Sequence, residues 1–184
     1  VALYHIALSK IALGASAEAE RDFDTLITRS PTSPQPWLRK GELLFARHEW
    51  AASADAMIGG ISRLPAGERP KIFASAAGSF FREHQMGQAA RIYRAALADS
   101  FDPAIAAYLA FVLSSAQDDS LRDGKEAQSL AERALATNPS SPTLLNSLAA
   151  ALAENGKFPE AINAAEKALS NAQALGDESA ARVT

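Results

Sequence analysis

Three histidines and a short acidic segment are the residues of this sequence whose types could do chemistry. His48 and His84 are 36 residues apart, and neither has a second candidate ligand three or four residues away, the spacing that presents two metal ligands on one helix face. Their neighbours Glu49 and Glu83 would point to other sides of a helix. Because histidine is enriched at positive φ, we interpret both histidines as turn residues. His5 has no partner visible in the sequence.

The acidic segment contains Asp118, Asp119 and Asp123, and calcium is the ligand that such a cluster suggests. The EF-hand pattern is missing, since its central glycine and terminal glutamate do not occur at the required spacing. Glu126 follows Asp123 by three residues, which is the arrangement of a capping box. We therefore predict that Asp123 caps a helix. No nucleophile elbow, Walker loop, dinucleotide fingerprint or zincin motif is present, so we expect no catalysis, no metal and no cofactor.

The composition is that of an ordinary soluble protein. Of the 184 residues, 48% are hydrophobic and 21% are charged, and the net charge is −3. This charge gives no reason to expect nucleic-acid binding, and the absence of cysteine removes disulfides and thiolate zinc sites. No apolar run is long enough to insert into a membrane. Val1 already lies in a helical pattern, so we expect the chain to be a piece of a longer protein.

The segment 142–175 is the clearest structural element. Leu145, Leu148 and Leu152 lie three and four residues apart, which is one face of a helix. Gly156 then supplies a turn residue that tolerates positive φ, and a second helix with alanines on one face follows. A single hairpin of this kind cannot bury its own apolar face, so further copies are expected to stack on it.

Copies of this hairpin occur along the whole chain. Positions equivalent to Ala161 recur upstream at spacings of 34, 38, 36 and 34 residues, namely Ala127, Ala89, Ser53 and Ala19. Two further positions share the same register: Ala7, Gly41, Ala77, Ala110 and Ala149 on the first helices, and Leu26, Gly60, Ala96, Ala134 and Ala168 on the second helices. Small residues at helix crossings let the backbones approach closely. The sequence therefore predicts an all-α fold of five hairpins.

This pattern resembles the tetratricopeptide-repeat family, whose period is about 34 residues. The resemblance implies one right-handed α-solenoid domain over residues 1–184, with repeats at about 1–33, 34–69, 70–102, 103–141 and 142–175. Residues 176–184 would begin a capping or further helix. The segment 121–134 is similar to repeats near the C-terminal ends of large bacterial tetratricopeptide-repeat proteins. We therefore expect a soluble segment from a bacterial cytoplasm or periplasm.

The resemblance also implies a function, which is binding of a protein or peptide in the concave groove formed by the first helices. The family's carboxylate clamp is absent, because its Lys and Asn positions hold Tyr4 and Leu8 here. Carrying the groove positions over gives a largely apolar set: Tyr4, Leu8, Leu38, Glu42, Phe45, Lys71, Phe81, Phe111 and Asn146.

Two alternatives stay open at this point. The apolar groove is either a binding site or a surface that flanking repeats cover. The chain is either a binding scaffold or a structural spacer or oligomerisation segment of a larger bacterial secretion, envelope or glycosyltransferase protein. The second function predicts self-association through the ends of the repeat array.

Overall fold

The computed structural model of the chain describes residues 2–176, which form ten α-helices and no strand. The helices are α1 (Ala2–Ala12), α2 (Ser16–Arg29), α3 (Pro34–Ala46), α4 (Trp50–Ile61), α5 (Arg69–Arg82), α6 (Met86–Asp99), α7 (Pro103–Ser115), α8 (Gly124–Leu135), α9 (Pro142–Glu154) and α10 (Phe158–Ala174). The predicted all-α helical-repeat fold is confirmed. The helix expected from residue 177 onward lies outside the described residues.

The contacts cluster into two compact units, Val1–Ala95 and Ala96–Thr184. In the first unit, consecutive helices from α1 to α5 pack on each other. In the second unit, α9 packs against α7, α8 and α10, and α7 also packs against α8. The unit boundary falls inside α6, and the division of the chain into one domain of five repeats stays a prediction.

Helix starts follow from proline and capping residues in the sequence. Pro34, Pro103 and Pro142 each begin a helix, where the missing N–H costs nothing and the fixed φ is already helical. The side chain of Asp102 caps α7 by accepting hydrogen bonds from the backbone N–H groups of Ala104 and Ile105, at 2.9 and 3.0 Å. The sequence thus specifies these boundaries locally, before any tertiary packing.

Four of the turns between paired helices contain a residue with positive φ. The residues are Gly14 (78°), His48 (60°), His84 (58°) and Gly156 (72°). Glycine adopts this conformation without steric cost, and histidine is among the other residues that reach it. The interpretation of His48 and His84 as turn residues is therefore confirmed.

The small residues lie where helices cross. Thirteen of the fifteen aligned positions are buried, while Leu26 and Ala149 are half-buried. A Cβ added to Gly41 would lie 2.6 Å from Met57 Cγ on the facing helix, closer than real Cβ contacts. The buried hydroxyl of Ser53 donates a hydrogen bond to the carbonyl of Gly41 at 2.8 Å. The contact between α3 and α4 therefore requires small residues on both sides.

Candidate binding surface

A cavity of about 690 Å³ opens in the first unit between α3, α4 and α5. It gathers three residues that the family resemblance had selected, Leu38, Glu42 and Lys71. The complete lining is Leu38, Glu42, Met57, Ile61, Gly67, Glu68, Lys71, Ile72, Ser75, Ala76 and Ser79. The groove positions implied by the family resemblance lie on first helices alone, so they do not include the residues of α4 and of the loop before α5.

The cavity combines apolar and polar side chains that differ in exposure. Ile61 is fully buried, and Leu38, Met57 and Ile72 are half-buried. In contrast, Glu42, Glu68, Lys71 and Ser75 are all exposed. An apolar base with a polar rim is the usual arrangement of a site that accepts an apolar group and orients it with a few hydrogen bonds.

Arg39 joins two of the selected residues on the surface beside the cavity. Its Nε donates a hydrogen bond to the Tyr4 hydroxyl at 3.3 Å, and its guanidinium pairs with the Glu42 carboxylate at 2.6 Å. These hydrogen bonds, first that to Tyr4 and then that to Glu42, raise the pKa of Arg39. Arg39 is not among the groove positions that the resemblance implies, although its spacing of three residues before Glu42 is typical of an ion pair on a helix.

Tyr4 and Leu8 also pack against the core of the first hairpin. Both contact the buried cluster that contains Ala7 and Phe23, and the Tyr4 and Phe23 rings meet edge to face with centroids 6.2 Å apart. Each side chain is half-buried, so part of its surface stabilises the hairpin. Their contact with a partner stays a prediction.

Phe45 belongs to an aromatic cluster. Its ring lies 5.1 Å from the Trp50 ring and 5.0 Å from the Phe80 ring, both edge to face. The His48 ring lies 4.8 Å from Trp50 on the same cluster. Replacing Phe45 would therefore disturb packing between α3, α4 and α5, and Phe45 is a poor residue for testing partner binding. Phe81, in the last turn of α5, is half-buried, and its role stays a prediction.

Two selected residues lie in the second unit. Phe111 on α7 is 39% exposed, and Tyr108, one turn earlier, is 50% exposed. Asn146 on α9 is half-buried. Tyr108 is not among the groove positions that the resemblance implies. The partner contacts of Phe111 and Asn146 stay predictions.

The residues considered for metal chemistry have structural roles in this fold. Asp123 caps α8 by accepting a hydrogen bond from the Glu126 backbone N–H at 2.9 Å, which confirms the predicted cap. Asp118 accepts hydrogen bonds from the Ser120 hydroxyl and backbone N–H, and these bonds lower the pKa of Asp118. Within residues 2–176, no group of three or more His, Asp or Glu side chains is placed to hold a metal ion.

Trp37 on α3 forms a second aromatic site. The Arg63 guanidinium lies over its ring, 4.5 Å from the centroid, and a Cβ on Gly59 would approach the ring to 2.9 Å. The indole Nε1 is buried and has no hydrogen-bond partner in the described part of the chain. Gly59 is thus the residue that makes room for Trp37.

The comparison with known families bears on the last two hairpins. Residues 119–177 match the family model described as "Tetratricopeptide repeat", and these residues include α8, α9 and α10. The match identifies this part of the chain, less than half of its length, as tetratricopeptide-repeat sequence. No curated protein matches its sequence. None of the helices in residues 2–176 is both long and apolar enough to cross a membrane.

Solved structures extend the tetratricopeptide-repeat fold over the rest of the chain. The chain is similar to YrrB, described as a TPR protein with an unusual peptide-binding site, with a TM-score of 0.57, 12% identity and coverage of 98% of this chain and 89% of that one. It is similar to MamA with a TM-score of 0.56, 16% identity and coverage of 96% and 93%. The C-terminal part of a TPR protein from Cytophaga hutchinsonii gives a TM-score of 0.50, 15% identity and coverage of 91% and 64%. At these identities the likeness is one of fold.

Proposed function

We propose that this chain is a non-catalytic scaffold that binds a peptide or protein segment in the cavity between α3, α4 and α5. The supporting observation is that one cavity collects Leu38, Glu42 and Lys71, three of the residues at which the family resemblance implies ligand contact. Its volume of about 690 Å³ falls within the usual range of ligand pockets, about 300–1,000 Å³.

The lining defines the ligand that would fit. An aliphatic or thioether side chain of the peptide would lie against Leu38, Met57 and Ile72, where its burial removes apolar surface from water. The exposed groups of Glu68, Lys71 and Ser75 would then meet the polar atoms of the peptide backbone and flanking residues. The expected ligand is thus a short segment with one apolar anchor residue.

The fold of a similar structure supports the same proposal. YrrB is described as a tetratricopeptide-repeat protein with a peptide-binding site. That description concerns YrrB, and at 12% identity none of its residues is carried over. It does support the idea that helical hairpins stacked in this manner can present a surface for a peptide.

A cavity-filling variant tests the proposal. Ser75 is exposed on α5 and lines the cavity, so Ser75→Trp would occupy the space without replacing a buried side chain. Peptides are first selected from a random phage-displayed library on the wild-type chain, and their dissociation constants are then measured by fluorescence anisotropy. We expect Ser75→Trp to weaken binding at least about tenfold, a loss of about 1.4 kcal/mol.

Ser129→Trp is the matched control, because Ser129 is exposed on α8 in the other unit. It should bind the selected peptides like the wild type. Thermal unfolding followed by circular dichroism verifies that both variants are folded. If the selected peptides bind the Ser75→Trp variant as tightly as the wild type, the cavity is not their binding site.

A further inference from the structure

Two side chains of opposite charge lie close together on the rim of the cavity, where α5 begins. Glu68 directly precedes α5 and Lys71 is the third residue of that helix. Both residues line the cavity and both are exposed. Within residues 2–176, neither side chain forms a hydrogen bond or an ion pair. Unpaired charges are common on protein surfaces, so the structural roles of these two positions decide whether the charges point to a ligand.

Glu68 does not perform the structural role of its position. It is the N-cap residue of α5, and the side chain of such a residue commonly accepts a hydrogen bond from the first turn of the helix. Asp102 and Asp123 do this for α7 and α8. The Glu68 side chain makes no such bond and lines the cavity instead. Its carboxylate is therefore available to a ligand.

Lys71 lies where a helix disfavours a positive charge. The first turn of a helix carries the positive end of the macrodipole, and the first turn of α5 contains no acidic residue that would offset Lys71. Residues that break a local rule of this kind are expected at functional sites. An acidic group brought by a ligand would give the Lys71 ammonium the partner that the chain itself does not provide.

The third charged residue of the lining is already neutralised within the chain. The Glu42 carboxylate pairs with the Arg39 guanidinium at 2.6 Å. The charges of the rim that remain for a ligand are thus one carboxylate and one ammonium group. They lie beside an apolar base that includes Met57 and Ile72.

We propose that the segment bound in this cavity carries an acidic and a basic residue close to its apolar anchor, with the acidic side chain at Lys71 and the basic side chain at Glu68. This inference rests on the peptide site proposed above. Residues three apart on a helix have Cβ atoms about 5–6 Å apart, so a ligand with a single charge would be attracted by one rim group and repelled by the other. A segment with both charges satisfies both groups, and such complementarity mainly determines specificity.

An exchange of the two rim charges tests the inference. The Glu68→Lys/Lys71→Glu chain has the same composition and net charge as the wild type. The probes are synthetic heptapeptides with a central Leu, one Lys and one Glu placed in every order at the two positions on each side, and Ser elsewhere. Their dissociation constants are measured by fluorescence anisotropy at low ionic strength.

The expected result is a reversal of preference. On the wild type, the tightest-binding peptide should bind about fivefold more tightly than the same peptide with its Lys and Glu exchanged, the combined effect of two exposed ion pairs. The Glu68→Lys/Lys71→Glu chain should prefer the exchanged peptide by a similar factor. In about 1 M salt, where the screening length is about 3 Å, both preferences should diminish.

Glu166→Lys/Lys167→Glu is the matched control, because both residues are exposed on α10 in the other unit. It should keep the wild-type preference, and circular dichroism verifies that both exchanged chains are folded. The inference is overturned if no peptide of the set binds the wild type or if all orders bind equally. It is also overturned if the rim exchange leaves the preference unchanged, or if the control exchange reverses it.

The inference and the proposed function fail in different ways. If Ser75→Trp weakens binding of every peptide in the set while exchange of Lys and Glu has no effect, the cavity binds peptides without reading their charges, and only the inference is wrong. If the preference reverses on the rim-exchanged chain but Ser75→Trp binds like the wild type, the cavity does not hold the anchor, and the proposed function is wrong.

Discussion

At the scale of single residues, α3 and α4 can pack closely because glycines without side chains lie at their contact. A Cβ on Gly60 would lie 2.7 Å from Leu38 Cδ2 and 3.0 Å from the Leu38 backbone nitrogen. The sequence predicted the small residues at Gly41, Ser53 and Gly60 from their register alone. It could not predict which bulky side chain fills each gap, because Trp37 and Leu38 are neighbours whose packing depends on the crossing geometry.

Replacing Gly60 by alanine should therefore lower stability. In an exposed helix, glycine to alanine stabilises by up to about 1 kcal/mol, but the contact with Leu38 reverses the sign, since overpacking typically costs about 1–3 kcal/mol. We expect Gly60→Ala to lose about 1–2 kcal/mol of unfolding free energy, measured by urea denaturation.

Gly78→Ala is the matched control. Gly78 is also inside a helix, and a Cβ there would meet only the end of the Arg82 side chain at 3.6 Å. This variant should be as stable as the wild type or more stable. Equal effects of the two substitutions would show that close packing does not explain the glycine at position 60.

At the scale of the elements, the sequence predicts a helix wherever its start is encoded locally. Asp123, Pro34 and Pro142 each mark a helix start that the structure has. The cavity was harder to predict from the sequence, since it combines α3 and α5 with Met57 and Ile61 of α4. The packing faces of second helices can be predicted from a sequence. The shape of the space between three packed helices cannot, because it depends on how the helices cross.

Removing the N-cap of α8 tests whether a single local residue, Asp123, stabilises the start of this helix. Asp123→Ala leaves the Glu126 N–H without its acceptor, and loss of an N-cap typically costs about 1 kcal/mol. We expect that decrease in unfolding free energy, with the helix otherwise intact by circular dichroism.

Asp119→Ala in the same loop is the comparison. Its carboxylate pairs with Arg122 at 2.6 Å, but its side chain is 85% exposed, and exposed ion pairs contribute little. This variant should change stability by less than about 0.5 kcal/mol. A larger loss for Asp119→Ala than for Asp123→Ala would contradict the assignment of the cap.

At the scale of the whole chain, stability should be distributed along the repeats. In helical-repeat proteins each hairpin contacts mainly its neighbours, so stability is approximately a sum of local terms. The internal period was readable from the sequence because small residues recur in phase. The division into two compact units could not be predicted from the sequence. It depends on the tertiary contacts around α6, and the small-residue pattern continues through this helix without a break.

The second unit should fold as a separate fragment. Residues 101–176 contain α7 to α10, and α9 packs against each of the other three. We expect this fragment to have a helical far-UV circular dichroism spectrum and a cooperative urea transition, at lower stability than the full chain. A coil-like spectrum at low temperature would show that the unit depends on the preceding helices.

The aromatic packing of the third and fourth helices gives the protein a built-in optical reporter. The chain has two tryptophans, Trp37 on α3 and Trp50 on α4, and they lie against Arg63 and against Phe45 with Phe80. Intrinsic fluorescence therefore reports the state of a single hairpin, the one that carries Leu38, while circular dichroism averages over all helices. Unfolding curves from the two signals would coincide for a two-state chain and separate if that hairpin melts on its own. A ligand bound beside Leu38 would change the emission without any added label.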